Sequence, residues 1–352
     1  MNHRSFLNFV LVFSLFNLVL PGTANADALK EVEKKIPVKV MIIAMFKPEA
    51  DAWLKHFSNP DLVRIDGLSP DYPDVYCEKD GLCLTTTGMG KSNAASSVMA
   101  LAFSDKLDLT KTYFIISGIA GISPRKGALG STAWANYLVD VGIQWEIDAR
   151  QKPKDWPSGF LGINTKNPNE KPKLDYKTEL FELNPRLVDL AYSLTKNVTL
   201  TFSKQMQAYG EKYGYAPANL APKVLQCDTA TSDTWWEGSL IAERVEFYTK
   251  QLTEGKGDYC TSQQEDNATY EALKRASASE RVDLNRVLVL RAGSDFDRQP
   301  KGVSAADNLV DYQNQGAFGA AVDNLYLTGK PLVDEIINHW SIWGNGIPST
   351  SH

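Results

Sequence analysis

The stretch Val287-Leu-Val-Leu-Arg-Ala-Gly-Ser-Asp-Phe-Asp-Arg298 joins a strand signature to ionisable groups. Its four apolar residues, Val287 to Leu290, read as a strand buried on both faces. Arg291 and then Gly293-Ser-Asp295 follow at the carboxyl end of that run. In open α/β sheets the ligand lies in the crevice beyond the carboxyl ends of the strands, so Asp295 is placed to handle a proton. The plainer alternative is an Asp that caps a helix or pairs with Arg291 or Arg298. Three more corners rich in Gly or Asp follow other strand signatures: Thr87-Gly88-Met-Gly90, Ser117-Gly118-Ile-Ala-Gly121 and Ser232-Asp233. Glycine lets a backbone approach a ligand closely, and free N–H groups at a helix start can hold an anion or a polarised water. The Gly-x-Gly at 88–90 does not extend to a dinucleotide pattern, because Asn93 stands where a third Gly would be.

The elements that must position these corners can be traced along the chain. Val38 to Met45 is a buried strand, and Pro48-Glu49-Ala50 opens a helix that runs to about Phe57. Leu62 to Pro73 reads as irregular. Val75 to Thr87 reads as a hairpin with Asp80-Gly81 in its turn. Lys91 to about Phe103, rich in Ala and Ser, is a helix able to pack closely on a sheet. Tyr113 to Ile116 and Ser131 to Val139 are further strands, and residues 140–176 interrupt the rhythm with a long insertion. Later helices are expected over 184–196, 240–252, 266–276, 305–327 and 331–340, with short strands at 223–227 and 259–264. The alternation implies a mostly parallel α/β sheet. Neither a repeat nor a linker divides residues 27–352, which are read as one domain.

The first 26 residues have the form of a secretory signal. His3 and Arg4 precede the apolar run Phe6 to Leu20, and Ala24-Asn25-Ala26 is a small-x-small cleavage site. Cleavage after Ala26 removes one of the 37 cations and none of the 42 acids, and this mild acidity argues against a nucleic-acid partner. No later stretch is apolar for long enough to span a membrane. The expected location is the periplasm or the cell exterior. Four cysteines suit such a compartment. A three-residue loop, Lys79 to Gly81, sets Cys77 opposite Cys83 for a disulfide, leaving Cys227 and Cys260 as the second pair; four free thiols are the alternative. No Cys-x-x-Cys or His cluster suggests a metal.

Taken in order, the corners resemble the nucleoside phosphorylase and nucleosidase superfamily. Ile43-Ala44-Met45 with a following Glu looks like its first strand. Thr87-Gly-Met-Gly-Lys-Ser-Asn-Ala-Ala95 resembles a Ser-Gly-Ile-Gly-Lys corner, and Ser117-Gly-Ile-Ala-Gly121 a Gly-Ser-Ala-Gly-Gly turn. Ser232-Asp-Thr-Trp235 is similar to Gly-Asp-x-Phe, Gln264-Glu265-Asp-Asn-Ala268 to Met-Glu-x-x-Ala, and Arg291-Ala-Gly-Ser-Asp295 to Arg-x-Ile-Ser-Asp. The leader, the insertion and the Trp-rich segments resemble one branch, the purine nucleoside permease family.

The resemblance implies a three-layer α/β fold of nucleoside phosphorylase type, with a mixed, mostly parallel central sheet and helices on both sides. It implies a purine-type nucleoside as ligand and cleavage of the N-glycosidic bond as chemistry. Asp295 would serve the departing base near N7, which requires its pKa to be raised toward the working pH. Glu265 would accept hydrogen bonds from the two ribose hydroxyls. Glu49 would orient or deprotonate the attacking water, although its place in the pattern needs a one-residue shift. Asp233, Trp235 and Trp236 would hold the base. Thr87, Gly88, Ser117 and Gly118 would hold the nucleophile, water or phosphate, and phosphate would be the one co-substrate. No cofactor is implied, and relatives of this fold assemble as oligomers. A secreted binding protein that serves nucleoside transport without turnover is the competing reading.

Overall fold

The computed structural model describes residues 34–349; the segment read as a secretory leader and its expected cleavage site lie outside them. A twelve-stranded mixed sheet organises the fold. Its strands are β1 (Val40–Ala44), β2 (Asp61–Arg64), β3 (Asp74–Cys77), β4 (Leu82–Thr86), β5 (Tyr113–Ile122), β6 (Thr132–Trp134), β7 (Tyr137–Asp140), β8 (Leu180–Glu182), β9 (Val224–Gln226), β10 (Asp228–Thr231), β11 (Tyr259–Gln263) and β12 (Val287–Phe296). Neighbours run in the order β8-β7-β10-β11-β5-β1-β4-β3-β2, while β12 pairs with β5 and β6, and β6 with β9. The central pairs β1–β4, β1–β5 and β5–β12 are parallel. β1 is VMIIA and is buried throughout, as expected of a strand covered on both faces.

Helices α1 (Lys47–Leu54), α2 (Lys91–Phe103), α3 (Pro185–Thr195), α4 (Lys204–Glu211), α5 (Ser239–Leu252), α6 (Asp266–Ala278), α7 (Ala305–Val310) and α8 (Phe318–Asn338) pack around it. The main core includes Trp53, Tyr113, Phe114, Trp134 and Trp343, all fully buried. No described helix is long and apolar enough to cross a membrane.

Both disulfides are formed, Cys77–Cys83 and Cys227–Cys260. The first lies across the expected hairpin, where Cys77 is registered with Cys83 and Gly81 takes a φ of +97° in the turn.

Several boundaries differ from the sequence reading. β5 and β12 do not stop at Ile116 and Leu290 but run on to Ile122 and Phe296. Ser117-Gly118 and Gly293-Ser294-Asp295 are therefore strand, not corners. Hydrophobic periodicity ends where the polar residues begin, yet ladder pairing continues because those polar side chains find partners inside the protein, Ser117 with Trp53, Arg291 with Asp266 and Ser294 with Asp295. Ser131 to Val139 divides into β6 and β7, which pair with different partners. Part of the segment read as irregular, Asp61–Arg64, is an edge strand. The expected helix from 305 to 327 is broken after Val310, whereas α8 continues through Pro331. The long insertion carries only a small hairpin, Trp145–Glu146 with Phe160–Leu161.

Candidate active site

The site exists because β5 changes neighbours part-way. Tyr113 to Ile116 pair with β1, whereas Gly121 and Ile122 pair with β11. Between them the backbone of β5 meets side chains. The Ile119 N–H donates to Glu49 Oε1 at 2.8 Å, and the Ile119 carbonyl accepts from Arg291 Nη1 at 3.0 Å. A buried backbone group must find a partner, and here a carboxylate and a guanidinium supply it. The gap beyond the end of β1 opens into a cavity of about 300 Å³.

Glu49, Glu265 and Asp295 all line this cavity, with Arg291 among them. Glu49 stands in the first turn of α1 behind Pro48 but is buried, its Oε2 accepting the Met45 N–H at 2.8 Å. Burial pushes its pKa up to about 8, partly countered by Arg291 and by the two backbone N–H groups. Glu265 precedes α6; Oε1 accepts the Gly90 N–H at 2.9 Å and Oε2 accepts from Arg291 Nη2 at 3.2 Å. Asp295 is buried near the end of β12, and Ser294 Oγ donates to its Oδ1 at 2.7 Å. Burial raises its pKa to about 6; the Ser294 hydrogen bond opposes this and the neighbouring Asp297 adds to it.

Arg291 is the hub that sequence reading named only as a partner for Asp295. It is fully buried and binds Asp266 at 2.5 Å, Glu265, Gln263 and the Ile119 carbonyl. Burial works against its charge, but Asp266 and Glu265 outweigh that and hold the guanidinium protonated beyond its ordinary range. An arginine after an uninterrupted apolar run was the signal available in the sequence, since such a side chain needs carboxylates around it.

Trp235 and Trp236 line the cavity on the loop that leads to α5. Trp235 meets Tyr312 edge-on at 5.0 Å between ring centroids. Met45, Phe46, Met89, Tyr312 and Phe318 add apolar lining, and none was given a role in the site from the sequence.

Five proposed site residues do not line the cavity. Thr87 is buried and its hydroxyl donates to the Gly88 carbonyl at 2.8 Å. Gly88 packs on Asn93 with φ at +86°. The Ser117 hydroxyl accepts from Trp53 Nε1 at 3.1 Å. At Gly118 a Cβ would collide with Met45 and press on Glu49 Oε1, so its part is to leave room for them. The Asp233 carboxylate receives the Lys91 N–H at 2.8 Å, and Lys91 itself pairs with Asp140. No residue of the 140–176 insertion lines the cavity. Among the described residues no group of three or more His, Cys, Asp or Glu could hold a metal.

The profile of the family described as purine nucleoside permease (NUP) matches residues 37–348. The chain belongs to the purine nucleoside permease family. It is 40% identical over 350 residues to a probable purine nucleoside permease of Schizosaccharomyces pombe, covering 96% of this chain and 99% of that one. It is 36% identical over 329 residues to a purine nucleoside permease of Candida albicans, covering 91% of this chain and 81% of the other. Among solved structures, futalosine hydrolase of Helicobacter pylori superposes with a TM-score of 0.51 at 14% identity, over 85% of this chain and 98% of that one. A 5'-methylthioadenosine/S-adenosylhomocysteine nucleosidase from S. pneumoniae gives 0.50 at 17% identity, over 84% and 100%. At those identities the likeness is one of fold, and it gives this purine nucleoside permease family member the nucleoside phosphorylase type of architecture expected from its motifs.

Proposed function

We propose that the protein binds purine-type nucleosides in this cavity and hydrolyses their N-glycosidic bond. The observation that carries the reading is the convergence of Asp295, Glu265 and Glu49 on one cavity. Heterolysis of that bond leaves negative charge on the base and positive charge on the sugar. Asp295, held near a pKa of 6, donates a proton or hydrogen bond to the leaving base. Glu265 is fixed by Gly90 and Arg291 and accepts from the ribose hydroxyls, its negative charge favouring a cationic sugar. Glu49 takes the proton of the attacking water. Trp235 or Trp236 stacks on the base.

Water is favoured over phosphate as nucleophile. Arg291 is the one cation among the cavity-lining residues, and its nitrogens are committed to Asp266, Glu265, Gln263 and Ile119. A phosphate dianion would enter a site already holding three acids. The test is incubation of the purified protein with adenosine or inosine, with and without phosphate, followed by chromatography for free base. Base release that does not require phosphate is expected. Binding without release under either condition would instead support a carrier that serves transport, and no binding would remove the nucleoside reading.

A further inference from the structure

Ser262 lines the cavity but takes no part in the chemistry above. Its position is set by a row of three strands. On one side of Gly121 in β5 lies Ser262 of β11, on the other Asp295 of β12, each registered to that glycine. A Cβ on Gly121 would lie 2.8 Å from Ser262 Oγ and 3.5 Å from Asp295 Oδ2. The missing side chain thus leaves a slot with a hydroxyl on one flank and the catalytic carboxylate on the other. In a purine, N7 and the substituent at C6 share one edge. A base that presents N7 to Asp295 therefore presents its 6-substituent toward Ser262.

The direction of the Ser262 hydrogen follows from what stands behind it. Arg298 grips Asp297 through Nε at 2.8 Å and Nη2 at 3.1 Å, which keeps that carboxylate an acceptor. The Tyr259 hydroxyl spends its only hydrogen on Asp297 Oδ2 at 2.7 Å. Tyr259 is registered with Asp228 and Ser262 with Ala230, so the bulge at Cys260 sets both side chains on one face of β11, and the phenol oxygen, its hydrogen spent, is the acceptor toward which the Ser262 hydroxyl turns. A hydroxyl has one hydrogen and two lone pairs. With its hydrogen turned toward Tyr259, Ser262 shows the cavity lone pairs alone. Among the other polar side chains of the lining, Ser294 Oγ is engaged with Asp295, Gln263 with Thr231 and the α6 N-terminus, and Gln264 Nε2 with the Asp233 carbonyl.

We propose that Ser262, oriented by Tyr259 and Asp297, is a specificity residue that selects nucleosides whose base carries an amino donor at position 6 over those with a 6-oxo group. An amino hydrogen meets a lone pair there, whereas a 6-oxo oxygen meets a second acceptor and stays unpaired in a buried slot. This rests on the nucleoside reading above and adds the class of base.

The experiment compares kcat/KM, or Kd where turnover is slow, for adenosine and inosine in the wild type, Ser262→Ala and Tyr259→Phe. The wild type should prefer adenosine by about tenfold or more. Ser262→Ala should bring the ratio close to one, mainly through loss on adenosine. Tyr259→Phe removes the acceptor behind Ser262, frees its hydrogen for an oxo group and should raise inosine relative to adenosine. A structural role would lower both substrates together and leave the ratio where it was, and that result overturns the proposal. So does a wild type that takes inosine as well as adenosine, in which case the nucleoside reading stands and the selectivity alone fails. If neither nucleoside is bound or cleaved, both fall. Should Tyr259→Phe fold poorly, Ser262→Ala decides the matter by itself.

Discussion

The ionisation states of Asp295 and Glu49 predict a pH profile that a simple acid-and-base assignment would get backwards. The proposed hydrolysis needs Asp295 protonated and Glu49 ionised. With values of about 6 and about 8, the prevailing form between those pH values is the reverse. At pH 7 about one-tenth of Asp295 carries its proton and about one-tenth of Glu49 has lost one, so about one molecule in a hundred is competent. That fraction is nearly constant from pH 6 to 8 and falls tenfold per pH unit outside this window. In the wild type, kcat/KM should therefore rise to pH 6, run flat, and fall beyond pH 8. The variants separate the two groups. Asp295→Asn removes the acid at a cost of about 10²–10⁴-fold. Its residual activity should then climb to pH 8 and stay level above it, because only Glu49 still titrates. Glu49→Gln should be level below pH 6 and decline above it. The assay is release of free base from adenosine under subsaturating conditions across pH 4.5 to 9.5. An Asp295→Asn enzyme that still loses activity above pH 8 would refute the reasoning.

The same two carboxyls make stability depend on pH. Each binds its proton more tightly folded than unfolded, so stability is highest at low pH and is lost as pH rises from about 4 toward the folded values of about 6 and 8. Between pH 4.5 and 8 the stability of Glu49→Gln should shift in the variant's favour relative to wild type, by up to roughly 4 kcal/mol; denaturant titrations showing a constant gap would contradict this. Arg291→Met should lower stability by about 3–5 kcal/mol, because Asp266 and Glu265 lose their buried counter-ion, while an unchanged urea midpoint would argue against the hub. Gly118→Ala should depress kcat far more than it lowers the thermal midpoint of unfolding, since its methyl strikes Met45 beside Glu49 and Arg291. Replacing Cys227 and Cys260 together by Ala should cost about 2–4 kcal/mol and weaken nucleoside binding, because Cys260 lies on the strand that carries Ser262 and leads to Glu265; calorimetry on the double variant reads both effects.

Local chemistry in the sequence was enough for much of this. Continuous apolar runs mark β1 and the first halves of β5 and β12, since a strand covered on both faces has no polar side to show. The spacing of Cys77 and Cys83 around Asp80-Gly81 implied a hairpin and its disulfide, both of which depend on a few neighbouring residues. The order of the Gly- and Asp-bearing motifs pointed to the family. What the sequence could not state was which polar residues turn inward. Strand pairing carries Ser117 to Ile122 and Arg291 to Phe296 past the end of the apolar signal. The change of neighbour along β5, a relation among strands far apart in the chain, opens the gap that Glu49 and Arg291 fill. Thr87 and Ser117 were equally plausible by type, yet the fold spends their hydroxyls outside the cavity lining and brings forward Ser262, a residue without any local signature. Residue type limits what a side chain can do; burial, register and the competing partners that only folding assembles decide which of them is free to do it.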